Sequence, residues 1–401
     1  MNLVSKLYCR IFQVGFRIAL PFLPYRRPEI IGCCSELKRV FEKENARSVL
    51  VITDRGIVQN GLLAPVEKVL RESGVSACIY ADTKPNPTVD NVESAFALYR
   101  EHACDCLIAV GGGSSMDCAK AVGARVVYPK RSVNQLGGIL KVWRKLPPLI
   151  AIPTTAGTGS ETTVAALITD PAIQHKYAIM SFPVIPHYAV LDAGLTYSLP
   201  PHLTATTGVD AVTHAVEAYI GRSTTKETRR LALEAVKLVF DNVELAYRDG
   251  KNHKARENML HAAHKAGLAF SKSYVGYIHA VAHSLGGQYG TPHGLANAVI
   301  MPYVLEAYGE SVYKKLHKLG LAAGVCTHQD RCQEGAQKFI KALWELNERL
   351  GIPKHIEGIR AEDIPTLAKR AAKEANPLYP VPKLLTKKEL EHFYYEVGGF
   401  L

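Results

Sequence analysis

One carboxylate and several imidazoles in the second half of the chain are spaced so that they could hold a metal ion. Asp210 and His214 are four residues apart, which places them on one face of a helix. The same spacing separates His279 from His283, and His293 follows within fifteen residues of His279. A carboxylate with imidazoles and no thiolate suits Fe²⁺ or Zn²⁺, and Mn²⁺ is also compatible. The alternative is a set of structural histidines, and the cost of burying unpaired imidazoles leaves both interpretations open.

Two polar, glycine-containing loops that each follow a predicted strand form a second group of candidates. In the first, adjacent glycines and a helix N-terminus could let a phosphate approach backbone N–H groups. Its candidate residues are Gly112, Gly113, Ser114 and Ser115. The second loop, residues 153–161, carries four hydroxyls and two glycines that could cradle phosphate or ribose. A tight turn and helix-capping hydroxyls are the respective alternatives.

Asp54 ends the first predicted strand and is a candidate for nucleotide selection. A carboxylate at this place could bind the adenosine ribose hydroxyls and repel a 2′-phosphate, which would favour NAD over NADP. The neighbouring Arg55 could do the opposite. An aspartate that only shapes a turn is the alternative.

The elements that position these candidates alternate between strand and helix up to about residue 192. Apolar, β-branched runs predict strands at residues 48–53, 77–80, 106–110 and 149–152. Because these runs are apolar without alternation, we expect a parallel, doubly wound sheet with both faces covered by helices. Both loops then lie at the C-terminal ends of strands, where open α/β sheets bind ligands.

After residue 192 the pattern changes to long helices. Helical spacing covers residues 204–219, 225–245 and 255–271, and we expect Gly286 and Gly287 to end the helix that carries His279. The chain therefore divides into a basic, apolar N-terminal arm (1–28), an α/β domain (29–199) and an all-helical domain (200–401).

The composition is that of a globular protein. Of 401 residues, 47% are hydrophobic and 21% charged, and no stretch of about 18 apolar residues predicts a membrane span. Nine scattered cysteines show no disulfide-scaffold spacing, which predicts a reducing compartment, the cytoplasm. Lys and Arg exceed Asp and Glu by 11, but no basic groove with interleaved aromatics is present, so nucleic-acid binding is not expected.

The first 28 residues contain five basic residues and no acidic one. Leu3, Leu7, Ile11 and Ile18 roughly follow helical spacing, and prolines from Pro21 onward end the segment. Basic residues interrupt the apolar run and no small-residue cleavage site follows, so a secretory signal is not expected. An arm packed on the protein, an interfacial membrane helix and an organelle transit peptide remain as interpretations.

Taken together, the motifs of residues 32 to the last helices resemble the iron-containing (group III) alcohol dehydrogenase family. The strings that carry the resemblance are Gly111–Ser114 with Asp117, Pro153–Glu161, Gly208–Ala211 with His214, and His279, His283 and Pro292–Gly294 with Asn297. The resemblance implies a Rossmann-like N-terminal domain, an all-helical C-terminal domain, an active-site cleft between them, and a homodimer or larger assembly. Residues 1–28 match no part of the common family core.

The resemblance also implies roles for individual residues. Asp210, His214, His279 and His293 fall on the metal-ligand positions of the family, and His283 falls on that of a histidine near the metal and the nicotinamide. Cofactor-contacting positions are matched by Asp54, Asn86, Gly113, Ser114, Asp117, Thr154, Thr155, Thr158, Thr163 and Lys176. The implied cofactors are NAD rather than NADP, and Fe²⁺ with Zn²⁺ as the alternative.

The implied function is reversible hydride transfer between a primary alcohol or an aldehyde and NAD(H), with the metal polarising the substrate oxygen. His283 would relay a proton to solvent or, equally, orient a metal ligand. One alternative is an enzyme of the same fold that resembles dehydroquinate synthase or glycerol dehydrogenase. The other is a non-catalytic binding protein held at a membrane by the arm. The string around Asp210 and His214 lacks the Lys and Arg that a sugar phosphate needs, and a scaffold has no need of intact ligand positions.

Overall fold

The computed structural model describes residues 3–171 and 175–401 and divides the chain into two compact units. One unit comprises residues 24–199, and the other comprises residues 1–23 together with residues 200–401. Residues 1–23 of the N-terminal arm therefore belong with the helical half of the chain, although they are far from it in sequence, and residues 24–28 belong with the α/β unit.

A six-stranded parallel sheet is the centre of the first unit, in the order β1-β9-β6-β4-β2-β3. The strands of this unit are β1 (Glu29–Ile31), β2 (Ser48–Ile52), β3 (Ser76–Tyr80), β4 (Cys106–Gly111), β5 (Gly138–Ile139), β6 (Leu149–Pro153), β7 (Ala165–Asp170), β8 (His175–Met180) and β9 (Tyr188–Val190). Every residue of β4 and β6 is buried. Leu107 packs in the core on one face of the sheet and Ile108 in the core on the other, which explains why the strands are apolar without alternation. The predicted fold class is confirmed.

A smaller three-stranded sheet, in the order β5-β8-β7, was not predicted from the sequence. Its antiparallel pair β7–β8 carries alternating buried and half-buried residues in β7, so the apolar signal is weak. The edge strand β1 of the main sheet and its neighbour β9 were also missed, because three residues give too little pattern.

In the first unit, helices connect successive strands along the chain, because parallel strands need a crossover connection between them. Helix α1 (Leu3–Ala19) belongs to the helical unit. The helices of the first unit are α2 (Leu37–Glu44), α3 (Arg55–Gln59), α4 (Ala64–Glu72), α5 (Val89–Glu101), α6 (Gly113–Val127) and α7 (Val133–Leu136). Because β2, β4 and β6 are parallel neighbours, their C-terminal ends meet at one edge, where Gly111 lies opposite Pro153. Both glycine-containing loops begin there.

The described residues from 200 onward form helices and loops without strands. These helices are α8 (Pro201–Ile220), α9 (Lys226–Arg248), α10 (His253–Ser273), α11 (Tyr277–Tyr289), α12 (His293–Tyr308), α13 (Tyr313–Ala322), α14 (Cys332–Arg349), α15 (Ile364–Ala375) and α16 (Lys387–Val397). The expectation that Gly286 and Gly287 end a helix is wrong. Helix α11 continues to Tyr289, and Gly290, with φ +69°, provides the left-handed residue that ends it.

Helix α1 packs on the helical unit through its polar side. The Arg10 guanidinium donates to the carbonyls of Val381 and Pro382, and Gln13 Nε2 donates to the Tyr379 carbonyl. This supports the interpretation of a packed arm. No helix within residues 3–171 and 175–401 is both long enough and apolar enough to cross a membrane.

Candidate metal centre and cofactor loops

Three helices bring together four potential metal ligands in the helical unit. Asp210 and His214 lie one turn apart on α8, His279 lies in the first turn of α11, and His293 is the first residue of α12. One donor atom from each of the four lies within 4.8 Å of the others. The structure therefore gathers the carboxylate and the three imidazoles to which the resemblance assigned the metal.

Asp210 lies between two of the histidines. Its Oδ2 is 3.8 Å from His214 Nδ1, and its Oδ1 is 3.7 Å from His293 Nε2. Asn297 Nδ2 donates to Asp210 Oδ1 at 2.7 Å, which holds the carboxylate in place. The distances between carboxylate and imidazoles are too long for direct hydrogen bonds and leave room for an ion among them.

Glu217 orients His279 from behind the cluster. Its carboxylate accepts the N–H groups of Gly276 and Ile278 and lies 2.6 Å from His279 Nδ1. Burial raises the pKa of Glu217 to about 8, while the backbone donors pull it down. Burial, with the neighbouring imidazoles, lowers the pKa of His279 well below its ordinary value. A neutral His279 that donates from Nδ1 keeps a lone pair on Nε2, the form in which histidine binds metals.

The buried Nε2 of His279 supplies the test of whether an ion fits. This atom has no hydrogen-bond partner in the described part of the chain, although the residue is only 2% exposed. Leaving such a group unpaired costs about 1–3 kcal/mol. A divalent cation would satisfy it, and one carboxylate with three imidazoles is a donor set that Fe²⁺ and Zn²⁺ accept. The residues present therefore fit the implied metal.

Two glycines allow the helices to approach closely enough to form this cluster. A Cβ on Gly294 would lie 2.7 Å from the carbonyl oxygen of Thr206, so any other residue would push the start of α12 away from α8. A Cβ on Gly276 would lie 2.7 Å from Glu217 Oε1. Both glycines flank ligand-bearing segments and keep the donors within reach of one another.

His283 lies beside the cluster but is not one of its four donors. Its Nδ1 is 2.6 Å from Glu374 Oε1, and the Tyr379 hydroxyl donates to the same oxygen at 2.7 Å. Its ring stacks on that of His293 with centroids 5.2 Å apart.

The two glutamates that contact these histidines, Glu217 and Glu374, were not predicted from the sequence. Glu217 could have been found, because it lies one turn after His214 on the same helix face, but Glu374 carries no such signal.

In the α/β unit, the two predicted loops lie against each other. Gly112 precedes α6 as its N-cap, and a Cβ on Gly113 would lie 3.2 Å from the Thr158 side chain. Gly111 has φ +145°, and a Cβ there would lie 2.6 Å from Ser115 Oγ. The buried Ser115 hydroxyl has no hydrogen-bond partner among the described residues, as expected of a loop built to receive a polar ligand.

Most of the remaining predicted cofactor residues lie at or beside these two loops. Asp54 caps α3 by accepting the Ile57 N–H, and the Asn86 N–H donates to Ser114 Oγ, so these positions lie at the loops. Thr154 follows β6, its N–H donates to the Gly111 carbonyl, and a Cβ on Gly112 would lie 3.6 Å from Thr155 Oγ1. The backbone of Lys176 is in β8, and its side chain lies outside the described residues.

Asp117 and Thr163 take part in a buried polar network around Lys120. Lys120 Nζ donates to Ser160 Oγ, Thr163 Oγ1 and the Ala165 carbonyl, and Ser160 Oγ donates to Asp117 Oδ1. Burial lowers the pKa of Lys120 to about 8. Sequence reasoning missed this lysine, whose network braces the second loop against α6.

Comparison with known proteins decides the family. Residues 30–193 match the family described as iron-containing alcohol dehydrogenase, and residues 204–397 match the C-terminal part of the Fe-containing alcohol dehydrogenase family. This chain belongs to the iron-containing alcohol dehydrogenase family. It is an oxidoreductase that acts on CH–OH groups, and the predicted resemblance is confirmed.

Individual members of the iron-containing alcohol dehydrogenase family resemble the chain over nearly its whole length. Alcohol dehydrogenase 4 of Saccharomyces cerevisiae (strain YJM789) is 37% identical over 348 residues, which cover 86% of this chain and 89% of the relative. An NAD-dependent methanol dehydrogenase of Bacillus methanolicus is 34% identical over 342 residues, covering 85% and 90%. A solved structure of 1,3-propanediol oxidoreductase has 33% identity and a TM-score of 0.89, covering 93% of this chain and 99% of that one.

The role of Glu217 can be tested through metal affinity. In Glu217→Gln, one oxygen that accepts N–H groups becomes an NH₂ group, so His279 loses the partner that fixes its ring. We expect the affinity for Fe²⁺ or Zn²⁺ to fall about 10- to 100-fold, measured by metal titration of the apoprotein. Glu234→Gln is the matched control: Glu234 pairs with Arg230 on α9 and Lys265 on α10, outside the four-donor cluster, and the variant should bind metal as the unaltered chain does. Equal affinities in both variants would refute the role of Glu217.

Proposed function

We propose that this chain interconverts primary alcohols and aldehydes with NAD(H), using a divalent ion held by Asp210, His214, His279 and His293. The observation that carries the proposal is the gathering of these four donors within 4.8 Å, with the buried His279 Nε2 left unpaired. The substrate class is supported by the relatives, since methanol and 1,3-propanediol are both primary alcohols. Fe²⁺ is the ion after which the family is named.

The ion would supply the polarising charge and the nicotinamide the hydride chemistry, and the residues of this chain would position both groups. When bound, the ion polarises the alcohol or carbonyl oxygen as a Lewis acid, and the nicotinamide accepts or returns the hydride. Glu217 holds the His279 ring in the required tautomer, and Asn297 holds the Asp210 carboxylate. The loop that ends at the N-terminus of α6 and the loop at residues 153–161 would bind the cofactor phosphates through backbone N–H groups and hydroxyls.

NAD is proposed rather than NADP because of the surroundings of Asp54. Its Oδ1 caps α3, while Oδ2 faces the Gly111 position, 3.5 Å from where a Cβ there would lie. This carboxylate would accept ribose hydroxyls and repel a 2′-phosphate. Arg55, which could have attracted that phosphate, forms an ion pair with Asp82 at 2.6 Å. The NAD-dependent relative from Bacillus methanolicus supports the same choice.

We assign His283 the role of holding and moving a proton. Glu374 Oε1 lies 2.6 Å from its Nδ1 and can accept a hydrogen bond from a proton on that nitrogen. In His283→Gln we expect kcat to fall about 10²- to 10⁴-fold with an altered pH–rate profile, while metal content stays unchanged. Loss of metal in this variant would instead support the alternative, in which His283 orients a ligand.

The experiment that tests the function is a panel of alcohols and aldehydes followed by NADH absorbance. Apoprotein is reconstituted separately with Fe²⁺ and with Zn²⁺, and NAD is compared with NADP through kcat/KM. Stoichiometric NADH release with primary alcohols is the expected result. Absence of net NADH release with every alcohol, in protein that contains metal, would contradict the proposal and point to an enzyme that regenerates its cofactor.

The proposal also covers the cellular compartment and the assembly state of the protein. The nine cysteines are all free thiols, which suits a reducing compartment, and we propose the cytoplasm. A homodimer or larger assembly is proposed from the resemblance. Sedimentation equilibrium of the metal-loaded protein would test it, and a monomer at all concentrations would contradict it.

A further inference from the structure

Helix α1 is fixed in one rotational orientation by its polar side. Besides the bonds of Arg10 and Gln13 to the segment 379–382, Ser223 Oγ donates to the Gln13 carbonyl, and Phe16 packs edge-on against Tyr274 with ring centroids 5.0 Å apart. The residues that face the protein are therefore mostly polar or small. This is the reverse of an ordinary surface helix, which turns its apolar face to the core.

The opposite side of α1 exposes large apolar side chains to solvent. Leu7, Ile11 and Ile18 are 60%, 65% and 67% exposed. The large apolar residues exposed on the helix are Leu3, Val4, Leu7, Tyr8, Ile11, Phe12, Val14 and Ile18. A continuous apolar surface of this kind marks an interaction site, because its removal from water is favourable by about 25 cal/mol per Å². We call it the apolar face.

Positive charge accompanies the apolar face. Lys6 and Arg17 are exposed on the same helix, and residues 1–28 contain no acidic side chain. Arg17 also contributes to a cavity of about 580 Å³ in the helical unit. The basic residues that line this cavity are Arg17, Arg222, Arg229, Lys314, Lys315 and Lys318, and its lining, as the structure describes it, includes no acid. We call it the cationic pocket.

The charges in the cationic pocket are crowded. Lys315 Nζ donates to the carbonyls of Ile220 and Gly221, each at 2.7 Å, which fixes it at the end of α8. Burial, followed by repulsion from Arg222, Arg229 and Arg17, lowers the pKa of Lys315 to about 8. Such a concentration of positive charge would be relieved by a multiply charged anion.

We propose that the apolar face and the cationic pocket together form a docking surface for an anionic phospholipid bilayer. Apolar side chains of α1 would enter the boundary between headgroups and acyl chains, and the pocket would receive lipid phosphates. Charge complementarity decides between this occupant and a second copy of the chain. Two α1 helices paired across a twofold axis would bring Lys6 and Arg17 of one copy near the same cations of the other, with no acid in the arm to compensate.

Co-sedimentation of the full chain with vesicles tests the proposal. One vesicle preparation contains phosphatidylcholine alone, and the other contains phosphatidylcholine with an equal amount of phosphatidylglycerol. We expect binding to the anionic vesicles to be at least about tenfold tighter than to the neutral ones and to weaken as salt is added.

Paired variants separate the two parts of the surface. Ile11→Glu should weaken binding to anionic vesicles at least about tenfold, whereas Leu245→Glu, an equally drastic change at a 50% exposed position near the end of α9, should not. Lys314→Glu with Lys318→Glu should weaken vesicle binding of the otherwise unaltered chain by at least about fivefold for each lysine replaced. Lys251→Glu with Lys354→Glu, two exposed lysines outside the pocket, makes the same change in net charge and is the control. Dehydrogenase activity in solution should be unchanged in all of them, which shows that they fold.

Several outcomes would overturn the proposal. These are equal binding to both vesicle types, binding to neither, and unchanged binding of Ile11→Glu. A fourth is sedimentation velocity in which the unaltered chain forms a larger species that Ile11→Glu dissociates, without vesicle binding. That result would assign the apolar face to a second copy. Binding of inorganic phosphate to the pocket without vesicle binding would make it a site for small anions instead.

Discussion

His279→Ala should lose the metal ion and with it the dehydrogenase activity, while NAD binding persists. The variant removes the buried Nε2 that the cluster leaves unpaired and exposes the Glu217 carboxylate to an empty space. We expect turnover to fall by more than about 100-fold, the upper end of what the loss of a residue that merely orients a ligand costs. Metal content by elemental analysis and NAD affinity by fluorescence titration measure the two effects separately.

His261→Ala is the matched control for that experiment. It removes a half-buried histidine from α10 in the same unit, outside the four-donor cluster, and should retain metal and activity. A His279→Ala protein with full metal content would show that the ligand assignment is wrong, whatever its activity.

Gly111→Ala should have the opposite effect to His279→Ala: it should weaken NAD binding and retain the metal ion. The new Cβ would lie 2.6 Å from Ser115 Oγ at a backbone φ of +145°, so the loop must shift away from the end of β4. A displacement of about 1 Å at a positioning element costs about 100-fold, and we expect the KM for NAD to rise by that order. Isothermal titration with NAD checks the binding directly.

Gly74→Ala controls for backbone strain alone. Gly74 also has a positive φ, of +66°, but a Cβ there meets nothing within 4 Å. This variant should be slightly destabilised and bind NAD normally. If Gly111→Ala binds NAD as tightly as Gly74→Ala does, the phosphate role of the first loop is refuted.

Elements could be predicted from the sequence where their residues form a regular pattern or lie close together along the chain. The central strands at residues 48–53 and 106–110 were found because continuous apolar runs are characteristic of strands covered on both faces. Asp210 and His214 were found because both lie on one turn of one helix. The pairing of β7 with β8 was missed because its residues alternate only between buried and half-buried.

Residues that hold site residues in place were harder to predict, because they contact residues far away in the sequence. Glu374 reaches His283 from 91 residues further along the chain, and no local pattern marks it. Lys120 lies among alanine and valine on α6, where a lysine is expected to face solvent, yet it is fully buried by oxygens from residues 160–165. Asp117 and Thr163, named as cofactor residues by resemblance, were found in this network, a use that motif spacing does not reveal.

The proposed metal site is tested most directly by anomalous X-ray diffraction from crystals of Fe²⁺-loaded or Zn²⁺-loaded protein, recorded at the absorption edge of the metal. We predict one strong peak about 2.0–2.2 Å from a carboxylate oxygen of Asp210 and from ring nitrogens of His214, His279 and His293. A peak elsewhere, or none in crystals of protein that oxidises alcohols, would contradict it.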